Sequence, residues 1–179
     1  MHSDTLLLLK SMEEHSINSS YRERLIEHLF VGELLKLSWQ KRDFSLEVSK
    51  PEVDNSGYDL IVEANGILRH IQLKSAFAGA KTARQNIHIS LANKASGCVV
   101  WVYFNEETLD LGPFLFFGGK PGEPLPDISG HKVAKHTKGD AEGFKSERPS
   151  IRVINKGEFT KHLTVNDLYK SLFIPQRES

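Results

Sequence analysis

Hydrophobic positions change period along this chain, from helical to alternating and back to helical. Leu25, Ile26, Leu29, Phe30, Leu34 and Leu37 recur at three- and four-residue steps, which is one face of an amphipathic helix. Ser20-Tyr21-Arg22-Glu23 has the form of a capping box and puts that helix from near Tyr21 to about Ser38. A shorter helix is expected over Met1 to His15, with Ser3 or Asp4 as its N-cap. Phe44 to Val48 alternates and reads as the first strand. Lys50 to Gly57 is a turn-rich loop, where Asp54 forms an Asx-turn or serves as an extra acid. Asn86 to Asn93 fits either a strand or a helix. Cys98 to Phe104 is unbroken apolar, the mark of a strand buried on both faces. Phe114 to Phe117 is a further strand, Gly118 to Pro126 a loop, Pro149 to Ile154 an edge strand, and Val165 to Phe173 a helix with Leu168 and Leu172 inward.

The most informative stretch is Gly57 to Lys74. Asn65-Gly66 divides two runs of aliphatic and β-branched residues, and that dipeptide favours the type I′ turn of a two-residue hairpin. Such a turn fixes the register: Ala64 opposite Ile67, Val62 opposite Arg69, Leu60 opposite Ile71, and Asp59 opposite Gln72. Opposed residues share a face, and alternation puts Lys74 on the face of Gln72. An acid, an amide and an amine therefore gather at the open end of an otherwise apolar hairpin. The simplest structural reading is a rim salt bridge between Asp59 and Lys74 with Gln72 bonded across.

An Asp opening one strand, followed in the next by an acid or amide, an apolar residue and a Lys, resembles the core motif of the PD-(D/E)XK nuclease superfamily. Here the motif is Asp59 with Gln72-Leu73-Lys74. No Pro precedes Asp59, and Gln72 stands where Glu or Asp is usual, which removes one negative charge. The resemblance implies a restriction-endonuclease-like fold of α/β (α+β) class, a central mixed β-sheet flanked by helices. It implies a metal-dependent nuclease acting on DNA in restriction, repair or defence. Asp59, Gln72, Lys74 and Glu27 would be the catalytic set. Mg²⁺ or Mn²⁺ would be held by Asp59, Gln72, the Leu73 carbonyl, and Glu27 or Glu33 from the preceding helix. Glu27 borders the apolar stripe and is preferred; Glu33 falls within it; Glu23 is accounted for by capping.

Composition bounds this reading. The length of 179 residues allows one domain with a proper core; the nuclease-like core is expected over about 20–117, with a C-terminal extension over 118–179. The one cysteine, Cys98, excludes an internal disulfide and a cysteine metal site. Leu6 to Leu9 is too short to cross a bilayer and lacks the flanks of a signal peptide, so a cytoplasmic protein without membrane contact is expected.

Net charge is zero, yet Ala64 to Phe104 holds Arg69, Lys74, Lys81, Arg84 and Lys94 and no acid. A local positive field there suits a phosphodiester substrate; the other reading is a solvated face. Ser75, Lys81 and Arg84 are candidates for gripping a substrate strand. Lys135, His136 and Lys138, in a basic stretch without metal-ligand spacing, are candidates for phosphate contacts. Nucleic acid, DNA first, is the expected partner, with a homodimer as one route to specificity. The competing class is an inactive nuclease-fold binding module or an immunity-type protein.

Overall fold

The computed structural model describes residues 18–53, 56–137 and 143–175. The expected helix over Met1 to His15, Asp54 and Lys138 lie outside them. Helix α1 spans Ser19–Lys41 and buries Ile26, Phe30, Leu34 and Leu37 along one face. It begins two residues earlier than the capping pattern suggests. Asn18 is the N-cap, Ser20 lies inside the helix, and the Ser20–Glu23 box does not form. Glu23 is thereby released from the capping role.

After α1 the chain turns sharply: Arg42 and Phe44 have φ of 59° and 52°. That delays the first strand, β1, to Glu47–Ser49 rather than Phe44 to Val48. Strands β2 (Leu60–Ala64) and β3 (Ile67–Phe77) form the hairpin in the expected register, Leu60 opposite Ile71 and Val62 opposite Arg69. The positive φ of Asn65 and Gly66, 53° and 73°, are those of a type I′ turn. Asn86 to Asn93 is partly strand and partly helical: β4 (Arg84–His88) runs into a short 3₁₀ turn over Ile89–Asn93.

Strands β5 (Gly97–Phe104) and β6 (Leu111–Gly118) follow, then β7 (Val133–Lys135), β8 (Glu147–Asn155), β9 (Thr160–His162) and helix α2 (Val165–Phe173). The central sheet is ordered β1-β2-β3-β5-β6-β9 and a small sheet is ordered β4-β8-β7. The β3–β5 pair is parallel and the other pairs are antiparallel.

The architecture is thus mixed α+β around a mixed central sheet, and among the described residues the two α-helices cover one of its faces. There α1 and α2 enclose Leu60, Val62, Ile71, Val100, Val102 and Phe114. The small sheet covers the other face, with Ile87, Leu91 and Ile154 against Val99, Trp101 and Leu115. Every residue of β5 is buried, which is why its sequence is apolar without alternation. Gly97 opens β5 because a Cβ there would lie 2.4 Å from the Leu91 carbonyl oxygen.

β8 is the middle strand of its sheet, not an edge. A proline is tolerated because the β7–β8 register jumps from Arg152 to Arg148, so Pro149 sits in a bulge where no ladder donor is needed. The Arg152 guanidinium closes that bulge by donating to the Pro149 carbonyl at 2.7 Å.

Arg69, which the charge run places in a positive field, is instead fully buried on the helical side. Its guanidinium donates to the carbonyls of Leu172 (2.9 Å), Ser171 (3.0 Å) and Gly119 (3.1 Å). It closes the C-terminal end of α2, where orphan carbonyls and the helix dipole both favour a cation.

A second tie joins the helices. The Tyr169 hydroxyl donates to Asp43 Oδ2 at 2.7 Å, just beyond the end of α1. Bonds from Ser45 and then from Tyr169 hold the Asp43 carboxyl below its usual range. A carboxylate depressed in the fold stabilises above its unfolded value, and that stability is lost as pH falls through the folded value. Tyr169→Phe should cost about 1.5–3 kcal/mol at neutral pH. In acid, where Asp43 is protonated in both proteins, the gap should narrow. Urea midpoints at the two pH values check this; a gap independent of pH would disprove the charge-assisted bond.

Candidate functional site

The site forms because two strands of the hairpin differ in length. β2 starts opposite Ile71 whereas β3 continues to Phe77, so beyond Gln72 one side of β3 has no strand beside it among the described residues. Along a strand, a residue's N–H and C=O point to the same side and alternate at each step. The Ile71 carbonyl accepts the Asp59 N–H at 2.8 Å, so Leu73 and Ser75 present their main chain to that open side. Asp59 Oδ2 accepts the Leu73 N–H at 2.6 Å, which holds the carboxylate at the strand end. The Leu73 carbonyl faces the same way.

A cavity of about 630 Å³ fills this opening, walled by Glu27, Lys50, Asp59, Leu73, Lys74 and Ser75. The first turns of α1 add Arg22, Glu23 and Arg24 to its lining. Glu27, only 6 % exposed, is reached by Lys50 and by Arg24 at 3.4 Å. Burial of a carboxylate at this level requires such partners. Glu33, by contrast, is not in the buried stripe. Its side chain is 37 % exposed, pairs with Lys36 at 3.2 Å, and lines neither of the cavities described here.

Gln72 and Lys74 lie beside Val99 and Trp101 in the parallel register, which directs them toward the small sheet. A second cavity of about 400 Å³ opens there, lined by Gln72, Lys74, Asn86, His88 and Arg148, with Gly57. Lys74 borders both cavities; Gln72 lines the second and Asp59 the first. Gln72 is 9 % exposed, and its Oε1 is buried without a hydrogen-bond partner. The His88 Nδ1 edge is engaged by Ser90, at 2.6 Å from its hydroxyl. Gly57, at φ 73°, lets the loop lie against His88, because a Cβ there would be 2.5 Å from the His88 Cβ.

Asp59, Leu73, Lys74, Ser75 and Glu27 therefore share one cavity. Lys81, Arg84, Lys135 and His136 are exposed and line neither. Sequence reasoning passed over Glu23, Lys50 and Arg148. Glu23 was masked by its resemblance to a cap, whereas Lys50 and Arg148 carry no local pattern and reach the site only through tertiary folding.

Chemically, the first cavity offers three hard carboxylates, Asp59, Glu27 and Glu23, and a main-chain carbonyl beside the ammonium groups of Lys50 and Lys74. Among the described residues, no three His, Cys, Asp or Glu side chains cluster as a ready-made metal cage. Mg²⁺ does not require one, since it is commonly held by one or two carboxylates while keeping several waters. The donors present fit such an ion. No helix among the described residues is long and apolar enough to cross a membrane.

No family model matches this chain, and no curated protein matches it. Among solved structures, a bacterial homing endonuclease, I-Ssp6803I, is similar at 20 % identity over 64 % of this chain and 83 % of that one, with a TM-score of 0.26. A likeness of that size decides neither fold nor function.

Proposed function

We propose that this protein is a metal-dependent nuclease that hydrolyses phosphodiester bonds in DNA. The observation that supports this reading is the meeting of Asp59, the Leu73 main chain, Lys74 and Glu27 in one cavity. Asp59 and the Leu73 carbonyl would hold Mg²⁺ or Mn²⁺, with Glu27 joining through water or after exchanging Lys50. Such an ion, when bound, neutralises phosphate charge and acidifies water. Lys74 would orient the attacking water and donate to the phosphoryl oxygen as its charge grows. The water oxygen bonds to phosphorus, the ester P–O bond breaks, and the leaving oxygen takes up a proton. Ser75 would contact the strand beside the scissile phosphate, and Lys81, Arg84, Lys135 and His136 would extend a basic surface for flanking phosphates. Gln72 is left out of the ligand set because its side chain lines the second cavity.

One observation favours a second reading, an inactive nuclease-fold binding module or immunity-type protein. The Glu27 carboxylate already has Lys50 and Arg24 against it, which lowers its value as a metal ligand. Cleavage of supercoiled plasmid, single-stranded DNA and RNA with Mg²⁺, Mn²⁺ or a chelator separates the two. The nuclease should cut DNA, stop on chelation, and be about 100-fold slower as Lys74→Ala. No cutting of any substrate, together with no metal binding, would sink the nuclease and favour the binding module.

A further inference from the structure

The second cavity has a chemistry that hydrolysis does not use. Among the described residues its lining holds no acid: Lys74 and Arg148 supply cationic side chains and Gln72 and Asn86 amides, together with His88, Ile151 and Gly57. Gln72 lines the cavity and is more than nine-tenths buried, and its Oε1, itself buried, has no hydrogen-bond partner. A buried amide left unsatisfied is costly, so a ligand donor toward which the Gln72 amide turns would relieve that cost. Gln and Asn amides carry an acceptor and a donor side by side, the pattern that matches a nucleobase edge. Lys and Arg side chains match a phosphate, Arg by a bidentate fork. The volume, about 400 Å³, falls in the range of small-ligand pockets, about 300–1,000 Å³.

We propose that this cavity binds one unpaired nucleotide of the substrate strand, its phosphate on Arg148 and Lys74 and its base edge on Gln72 and Asn86. The position of that nucleotide rests on the nuclease reading. Lys74 borders both cavities, so the nucleotide held here is next to the phosphate presented to Asp59. The cavity is an open cleft, and a base whose pairing edge is held there by Gln72 and Asn86 has left its partner strand. The substrate is therefore single-stranded DNA, or a duplex that offers an unpaired or extruded nucleotide beside the cut.

The test is binding in EDTA, where no metal chemistry occurs. The probes are deoxynucleoside monophosphates, a short single-stranded oligonucleotide, the matching duplex, and inorganic phosphate, followed by titration calorimetry. Mononucleotides and the single strand should bind wild type, and the single strand more tightly than the duplex. Arg148→Met and Gln72→Met should each weaken both by about tenfold, the scale of one good polar pair, while Lys161→Met on β9 should not. Arg148 is exposed, so its variant remains informative even if the Gln72 variant folds poorly. Absence of binding, variants that bind like wild type, or inorganic phosphate competing as well as a mononucleotide would each overturn the proposal. Mononucleotides binding more tightly than the single strand would assign a free-nucleotide site and overturn the strand assignment. The two readings fail separately: nucleotide binding without any cleavage defeats only the nuclease, and metal-dependent cleavage without nucleotide binding defeats only the pocket.

Discussion

Asp59→Asn should slow metal-dependent DNA cleavage by about 10³-fold or more, through loss of the carboxylate charge held at the strand end. The substitution is nearly isosteric. Asn keeps a side-chain oxygen able to accept the Leu73 N–H that Asp59 Oδ2 accepts now, so the hairpin should fold as before. What changes is charge. A neutral amide beside Lys74 and Lys50 leaves the cavity with Glu23 and Glu27 as its acids, and Glu27 is already committed to Lys50 and Arg24. Metal affinity should fall with the rate, and raising Mn²⁺ should recover part of it. Single-turnover cleavage across a Mn²⁺ series measures both. A variant cutting at the wild-type rate would remove Asp59 from the reaction.

Arg69→Met should destabilise the fold by about 3 kcal/mol, a large share of the 5–15 kcal/mol typical of a domain. Two effects oppose. Removing a buried cation recovers its desolvation cost, which is real here, since burial pulls the Arg69 pKa down. Against this, the carbonyl of Leu172 in the interior and those of Gly119 and Ser171 at its margin lose their donor, and methionine offers none. The second effect wins because three acceptors depend on one side chain. Arg69→Lys should recover little, because a single ammonium cannot span the three carbonyls that a planar fork reaches. Urea unfolding of the three proteins tests this. A Met variant as stable as wild type would mean that the helix end is satisfied by other means.

How much of this was legible beforehand depended on whether a residue's role is set locally. The hairpin register could be read because Asn65-Gly66 dictates a two-residue turn, and the turn dictates every pair beyond it. Val165–Phe173 could be read because Leu168 and Leu172 fall on one face; the Thr164 cap, its hydroxyl accepting the Asp167 N–H at 3.1 Å, came only with the structure. The same local logic misled at Ser20-Tyr21-Arg22-Glu23, where a capping pattern falls inside a helix that starts earlier. It also misled at Pro149, where a bulge admits proline to a central strand. The placement of Asp59 and Lys74 at one strand end followed from register. That Lys50 would meet Glu27, that Arg148 would line a cavity with Gln72, and that Arg69 would turn inward to a helix about a hundred residues away are products of the whole fold. No spacing announces them.

The order of strands carries one more consequence. Along the chain, membership passes from the large sheet (β1 to β3) to the small one (β4), back (β5, β6), across again (β7, β8) and back (β9). The two sheets are interleaved, so no single cut of the polypeptide can part them into two pieces. Neither could be gained, lost or exchanged as a cassette during divergence without rupturing the other. The second cavity draws its walls from β3, β4 and β8, three separate passes of that weave. It comes into being only when the third of these passes is laid down, so a fragment that stops short of β8 lacks it.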